Sequence, residues 1–351
     1  MTYKKWNYLT GLTFLIVILL VGTFNYVIDP IQFYRKAFYP PFFNTQQRYQ
    51  NPGLARNYDY DSIIIGTSVT ENFLPSQIHE QLRFNTLKLS ISGSTAKEQH
   101  LMADVAIRTG KVKNVIWSID YITLIGSTDR VADEFGPFPD YLYDNLFYSK
   151  AKYLLNASTT YESYKILPVI MSGAQPHKPN LELLYNWNSA FEFSKASVVQ
   201  NWDIFKYMAF DPNLYARQKL KDNFKHNILP VVQENRDINF YFFFPPYSIL
   251  LQKVYYNNDV FDDCMYMKGY IVKTLSRYPN VKVYDFQDLD DITFNLDNYK
   301  DAMHYSGDIN EYIITSIAAD QHRLTMDNYE KRIHTLNKQV QKLDLDKMLA
   351  N

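Results

Sequence analysis

Two short stretches hold residues whose types suit covalent chemistry on an acyl group. The first is Asp61-Ser-Ile-Ile-Ile-Gly-Thr-Ser-Val-Thr-Glu-Asn72. Ile63, Ile64 and Ile65 form a short apolar run of the kind buried on both faces of a parallel sheet, and Gly66 ends it. A strand that stops at a glycine and turns toward a helix sets Ser68 at the carboxyl edge of the sheet. Backbone N–H groups there can hold the oxyanion formed when a serine attacks an ester. Taken alone, Ser68 or Thr67 reads better as a helix cap. The second stretch is Asn298-Tyr-Lys-Asp-Ala-Met-His-Tyr-Ser306. A serine alcohol attacks well only when a base within hydrogen-bond reach takes its proton, and imidazole does this near neutral pH if its tautomer is fixed. Asp301 and His304 lie three apart, so one turn of chain brings the carboxylate to the far ring nitrogen. Such spacing alone is common by chance. His79, His100, His226 and His334 fall on expected helices, and His177 and His322 have no comparable acid in a loop near the sheet.

The elements that must position these residues read as α/β. Strands are expected at 63–65, 86–92, 114–119, 238–244 and 281–286, with helices at 71–82, 94–108, 260–277 and from Ser306 or Asp308 through Ile317. Strands alternating with helices imply βαβ units and a parallel five-stranded sheet. Residues 127–235 break the pattern. They are rich in Tyr, Phe and Asn, too long for one loop, and read as a mainly helical insertion with helices near 150–171, 181–193 and 212–229. It either shapes a groove over the carboxyl edge or only covers the sheet. Residues 29–60, with Pro30, Pro40, Pro41 and Pro52, read as an irregular lead-in. Met326, Tyr329, Ile333, Leu336, Val340 and Leu343 give the tail, 326–351, the seam of an amphipathic helix. It is short for a coiled coil and suits packing on the domain, 61–325, or on a partner protein.

The bulk composition narrows the function classes. Lys plus Arg total 36 against 37 Asp plus Glu, so the net charge is −1, and no basic block suggests nucleic acid. The single Cys264 excludes an intramolecular disulfide and a multi-cysteine metal site. Residues 9–28 are 20 residues without a charge, the length needed to cross a bilayer as a helix. Lys4 and Lys5 precede the run, which places the N-terminus in the cytoplasm by the positive-inside rule. The length of the run and the lack of a small-residue cleavage site favour an uncleaved anchor over a signal peptide.

Ser68 after the first strand, followed near the C-terminus by Asp301 and His304, resembles the SGNH (GDSL-like) hydrolase family. The resemblance covers about residues 60–324, interrupted by the insertion. It implies a three-layer α/β/α fold, with Ser68 as nucleophile and Asp301 and His304 as acid and base. Gly93, after the second strand, matches the second block, whose glycine N–H serves the oxyanion hole beside that of Ser68. Thr67 stands where many members have aspartate. The third block ordinarily supplies an asparagine; here that position is Asp120, which offers no N–H when ionised. Losing one hole donor costs about 2.7–4 kcal/mol of transition-state stabilisation. Asn72 or a residue of the insertion is the candidate substitute, and Asp120 is left to position an acceptor hydroxyl or to end the strand.

The resemblance is closest to single-pass, membrane-anchored members that acylate cell-envelope polymers, often beside a multi-pass membrane acyltransferase. It implies a serine O-acyltransferase or O-acyl esterase taking an acylated donor and a polysaccharide acceptor, with no metal or organic cofactor. The alternative from another class is a non-catalytic assembly or binding protein that keeps the fold and recruits partners through the anchor and tail. The expected topology is testable. Protease added outside spheroplasts should digest everything beyond Asp29; digestion only after the cytoplasm is opened would reverse the orientation.

Overall fold

Ile63–Ile65 and Phe242–Phe244 are almost wholly buried, as strands covered on both faces must be. In the computed structural model five strands, β1 (Ser62–Ile65), β2 (Thr86–Lys88), β3 (Asn114–Ser118), β4 (Asn239–Phe244) and β5 (Val281–Asp285), form one parallel sheet in the order β2-β1-β3-β4-β5. Ile63 stands opposite Leu87 on one side and Val115 on the other, and Phe240 opposite Val115 and Val281. The chain steps outward from β1 to β2 and then returns to β3. That reversal makes β1 and β3 the switch point of the sheet, beyond whose carboxyl ends open α/β sheets bind ligands.

The structure describes residues 2–40, 42–173 and 180–350. In chain order the first helices are α1 (Tyr3–Ile28), α2 (Gln47–Asn57), α3 (Pro75–Leu82), α4 (Ala96–Ile107), α5 (Phe147–Leu154) and α6 (Ala157–Ser172). Then come α7 (Lys195–Gln200), α8 (Trp202–Lys206), α9 (Arg217–Asn223), α10 (Leu229–Glu234), α11 (Ile249–Asn257) and α12 (Phe261–Leu275). The last four are α13 (Asp290–Thr293), α14 (Gly307–Ala318), α15 (Tyr329–Lys342) and α16 (Leu345–Leu349). Two compact units result: Met1–Tyr58 with Pro137–Asn180, and Asp59–Gly136 with Leu181–Asn351. The expected insertion is thus divided. Its first half joins the N-terminal segment, and its second half belongs with the sheet.

The first unit holds α1, which is long and apolar enough to cross a membrane. The lead-in, expected to be irregular, contains α2 despite Pro52. Proline removes the N–H that would reach the Arg48 carbonyl one turn earlier, and the Tyr143 hydroxyl donates to that carbonyl instead at 2.8 Å. At Gly53 a Cβ would lie 2.3 Å from the Ile31 carbonyl oxygen, so this close approach requires glycine. The Asp29 carboxylate, just past α1, accepts from the N–H groups of Phe33, Tyr34 and Arg35 and from the Tyr153 hydroxyl, at 2.8–3.2 Å.

In the second unit the helix expected from Glu71 starts later, at Pro75. Proline suits a first helical position because its missing N–H would have no partner there, and Ser68–Thr70 forms a single 3₁₀ turn before it. Helix α11, directly after Pro245 and Pro246, was not expected. The tail helix α15 packs on α11 and α12 through Tyr329, Leu336 and Val340, and the Lys253 ammonium donates to the Val340 carbonyl at 2.9 Å.

Lys88 ties β2 to the segment that follows Ser68. Its ammonium is buried and donates to the carbonyls of Glu71 and Phe73 at 2.6 and 3.0 Å. Burial brings its pKa down to about 8, against the opposing charges of Glu71 and Glu182. Its folded value lies below the ordinary lysine range, so the unfolded chain binds the extra proton and stability rises with pH. The gain should amount to at most about 1.4 kcal/mol per pH unit between about pH 8 and 10. Lys88→Met should lose that gain and cost roughly 2–4 kcal/mol through the abandoned carbonyls. Denaturant unfolding of both proteins across that pH range checks both effects.

Candidate active site

The nucleophile turn is built from β1 outward. Gly66 admits it: a Cβ there would lie 2.4 Å from the Thr70 methyl group. The Thr70 hydroxyl donates to the Thr67 carbonyl at 2.8 Å and is hydrogen-bonded to the Ser90 hydroxyl at 2.6 Å, which holds the turn from below. The Asn310 amide, on α14, donates to the Val69 carbonyl at 3.1 Å. Ser68 itself is half-buried.

The loop carrying His304 closes on itself. Tyr299 pairs with Tyr305 in an isolated antiparallel bridge, the Lys300 N–H donates to the His304 carbonyl at 3.0 Å, and the Ser306 N–H donates to Asn298 at 2.9 Å. Two contacts moor it to the end of β4. The Tyr299 hydroxyl donates to the Pro246 carbonyl at 2.7 Å, and the Ser248 hydroxyl to the Ala302 carbonyl at 2.6 Å. Within the loop Asp301 Oδ1 accepts the N–H groups of Met303 and His304, both at 2.8 Å.

These two loops meet although 236 positions separate the side chains. Ser68 Oγ lies 2.9 Å from His304 Nε2, and His304 Nδ1 lies 2.8 Å from Asp301 Oδ2. Burial pushes the Asp301 carboxyl upward, but the hydrogen bond and charge of His304, with those of Lys300, hold it well below the usual carboxylate range. An ionised Asp301 only accepts, so Nδ1 must carry the ring proton. Nε2 then presents its lone pair to the Ser68 hydroxyl. The arrangement can therefore take a proton from Ser68 and stabilise the cation that forms.

Two residues at this site went unread in the sequence. A strap running from Leu181 to Lys195 crosses between the two loops. The Trp187 N–H donates to Asn72 Oδ1 at 3.0 Å, and its indole N–H to the Ser68 carbonyl at 3.2 Å. The Trp187 ring meets His304 edge-on at 5.6 Å. On the other side the Gly307 N–H donates to Asn188 Oδ1 at 2.7 Å, and the Ser194 N–H to the Tyr299 carbonyl at 3.1 Å. Lys300 is the second. Its ammonium sits 2.9 Å from Asp301 Oδ2, over the Phe191 ring at 4.4 Å and the Trp187 ring at 5.2 Å. The helix expected near 181–193 is this strap instead, with only brief 3₁₀ turns at Leu181–Leu183 and Asn188–Ala190, because polar groups of Trp187 and Asn188 bond to the Ser68 and His304 loops.

Gly93 follows β2 in a turn closed by the Ser94 N–H to the Ile91 carbonyl at 3.1 Å. Its φ of +59° lies in the left-handed region that favours glycine. Asp120 ends β3, but its carboxylate is fully buried and accepts the hydroxyls of Thr67 at 3.0 Å, Ser118 at 3.1 Å and Tyr247. It braces the turn that carries Ser68 from within and is closed to solvent, which leaves it no place as a donor or as a contact to an acceptor hydroxyl. Burial pushes its carboxyl upward, opposed by those three hydroxyls and by His304. Asn72 Nδ2 is likewise enclosed, without a hydrogen-bond partner, and so gives a substrate no N–H in this conformation. His177 lies outside the described residues.

The sequence matches no family model and no curated protein. The assignment of chemistry therefore rests on the geometry. Asp120→Asn would turn an amide N–H₂ toward hydroxyls that now donate. It should cost about 1–3 kcal/mol of stability and leave hydrolysis of a simple ester no faster. Thermal unfolding and an ester assay on the folded variant check this, and faster hydrolysis would place residue 120 in the oxyanion hole.

Proposed function

We propose that the protein is a serine O-acyltransferase or O-acyl esterase of the SGNH type, held at the membrane by α1 with its second unit outside the cytoplasm. The observation that carries the reading is the hydrogen-bonded series Ser68–His304–Asp301, with neither Ser68 nor His304 fully buried. The parallel sheet, with Ser68 following β1 at the reversal of strand order, supports it. The substrate class, an acylated donor and a cell-envelope polysaccharide acceptor, follows from the resemblance to membrane-anchored members of that family. A multi-pass membrane acyltransferase is the partner it suggests.

In this mechanism Ser68 Oγ attacks the acyl carbonyl as His304 Nε2 takes the hydroxyl proton. The N–H groups of Ser68 and Gly93 hold the oxyanion, and Asp301 balances the imidazolium. The C–O bond to the donor then breaks, and His304 returns the proton to the leaving oxygen. A sugar hydroxyl or water attacks the acyl-serine, gives its proton to His304, and Ser68 departs with that proton restored. Trp187 and Lys300 fix the loops that this relay spans, and Lys300 keeps Asp301 ionised. Transfer and hydrolysis differ only in the second nucleophile.

A second reading keeps the fold but not the chemistry: a protein that binds or assembles envelope components. The burial of Asp120 and Asn72 favours it, because neither supplies a third donor to the hole. The two readings separate cleanly. A fluorophosphonate probe should label Ser68 in the folded protein, and Ser68→Ala and His304→Ala should each abolish labelling and acyl transfer. Asp301→Asn should leave a remnant, with a loss of up to about four orders of magnitude. Full activity in a well-folded Ser68→Ala protein would leave the binding reading in front.

A further inference from the structure

The first unit supports an inference that rests on α1 as a membrane span and not on the chemistry. Helix α6 packs against the C-terminal end of α1. Ile166 joins Ile28 and Tyr39, and Phe24, Ala37, Leu167 and Ile170 complete the cluster. The Asn25 amide donates to the Leu154 carbonyl and to the Thr160 hydroxyl, each at 2.8 Å, so a polar group on the apolar helix finds protein partners. The run 9–28 is about 30 Å long as a helix, which matches the hydrocarbon core of a bilayer. Its last turns therefore lie at one boundary of that core, and Thr160, Ile166 and Ile170 of α6 pack against those turns.

One face of α6 is occupied by α1, and the other is open. Tyr161, Tyr164, Pro168 and Met171 recur at spacings of 3, 4 and 3 on that face, and Tyr161, Tyr164 and Met171 are 62%, 66% and 79% exposed. The only charged residues of α6, Glu162 and Lys165, pair with each other at 2.8 Å. Leu146, Phe147 and Tyr148, at the start of α5, are exposed as well. A helix that is apolar on both sides, with tyrosines outward, fits neither bulk water nor the centre of a bilayer.

We propose that α6 is an interfacial helix, its outward stripe seated in the headgroup–acyl boundary of the leaflet at the C-terminal end of α1. The occupant of this face is phospholipid, and unit 1 holds the membrane by a flat collar as well as by a span. The test uses full-length protein carrying Tyr164→Cys or Met171→Cys, labelled with bimane and reconstituted in vesicles of phosphatidylcholine and phosphatidylglycerol. The parent protein, whose one cysteine, Cys264, is buried, serves as the labelling blank. Doxyl groups near the top of the acyl chains should quench both labels at least twofold. Iodide should quench them less than half as well as it quenches free bimane–cysteine. Iodide quenching as strong as for the free label, in protein that floats with the vesicles, overturns the interfacial helix and leaves the anchor standing. Shielding from both quenchers also overturns it, because a second copy or another protein then covers the stripe. Protein that does not float removes the span on which the inference rests. Tyr161→Cys reads the same stripe if either of the other variants does not fold.

Discussion

A hydroxyl and an imidazole from opposite ends of a domain must be held within hydrogen-bond distance before any proton can pass between them. Here that distance is 2.9 Å, and neither loop fixes it alone. The nucleophile turn is pinned by Lys88 from β2, Asn310 from α14 and Thr70 from within. The His304 loop is pinned by Tyr299 and Ser248 to the chain that leaves β4. Each such hydrogen bond contributes only about 1 kcal/mol net, yet together they leave the two side chains little freedom to part. Precision at the site is thus distributed over many weak contacts.

The carboxylates show how the same residue type is put to different use by its surroundings. Asp301 is buried beside the His304 ring and the Lys300 ammonium, which keep it charged and able to orient a histidine. Asp120, only one strand away from Ser68, is wholly enclosed and meets hydroxyls alone. Burial without a cation disfavours its charge, and its three donors make it a structural brace. Enclosed by those hydroxyls, the Asp120 carboxylate presents no group to solvent.

Much of this was legible in the residues themselves. Ile63–Ile65, Val115–Trp117 and Phe240–Phe244 announce buried strands because both faces of a parallel sheet are covered, and Asp301 with His304 stands out only when read together with the Ser68 stretch. What the residues conceal depends on partners far away in sequence. Asp120 looked available because Tyr247, which encloses it, lies 127 positions later. Trp187 sits in a strap with only brief 3₁₀ turns, so no periodicity marks its contacts with Ser68 and Asn72. Helix α2 was hidden by its own Pro52 and Gly53, which are tolerated through Tyr143 and a close backbone approach. No compositional break at Pro137 or Asn180 signals that the insertion is shared between two units.

The partners of Asn25 bear on the order in which the chain can be completed during synthesis. Leu154 and Thr160 come 129 and 135 positions after it, and β1, β2 and β3 lie in between. A ribosome that delivers the N-terminus first must therefore release half of the sheet before the amide in the apolar helix meets its acceptors. The first unit to begin is the first to be interrupted, and its chain is completed only after the second has been started. Replacing α1 with a generic hydrophobic helix of the same length would remove the amide that ties it to Leu154 and Thr160.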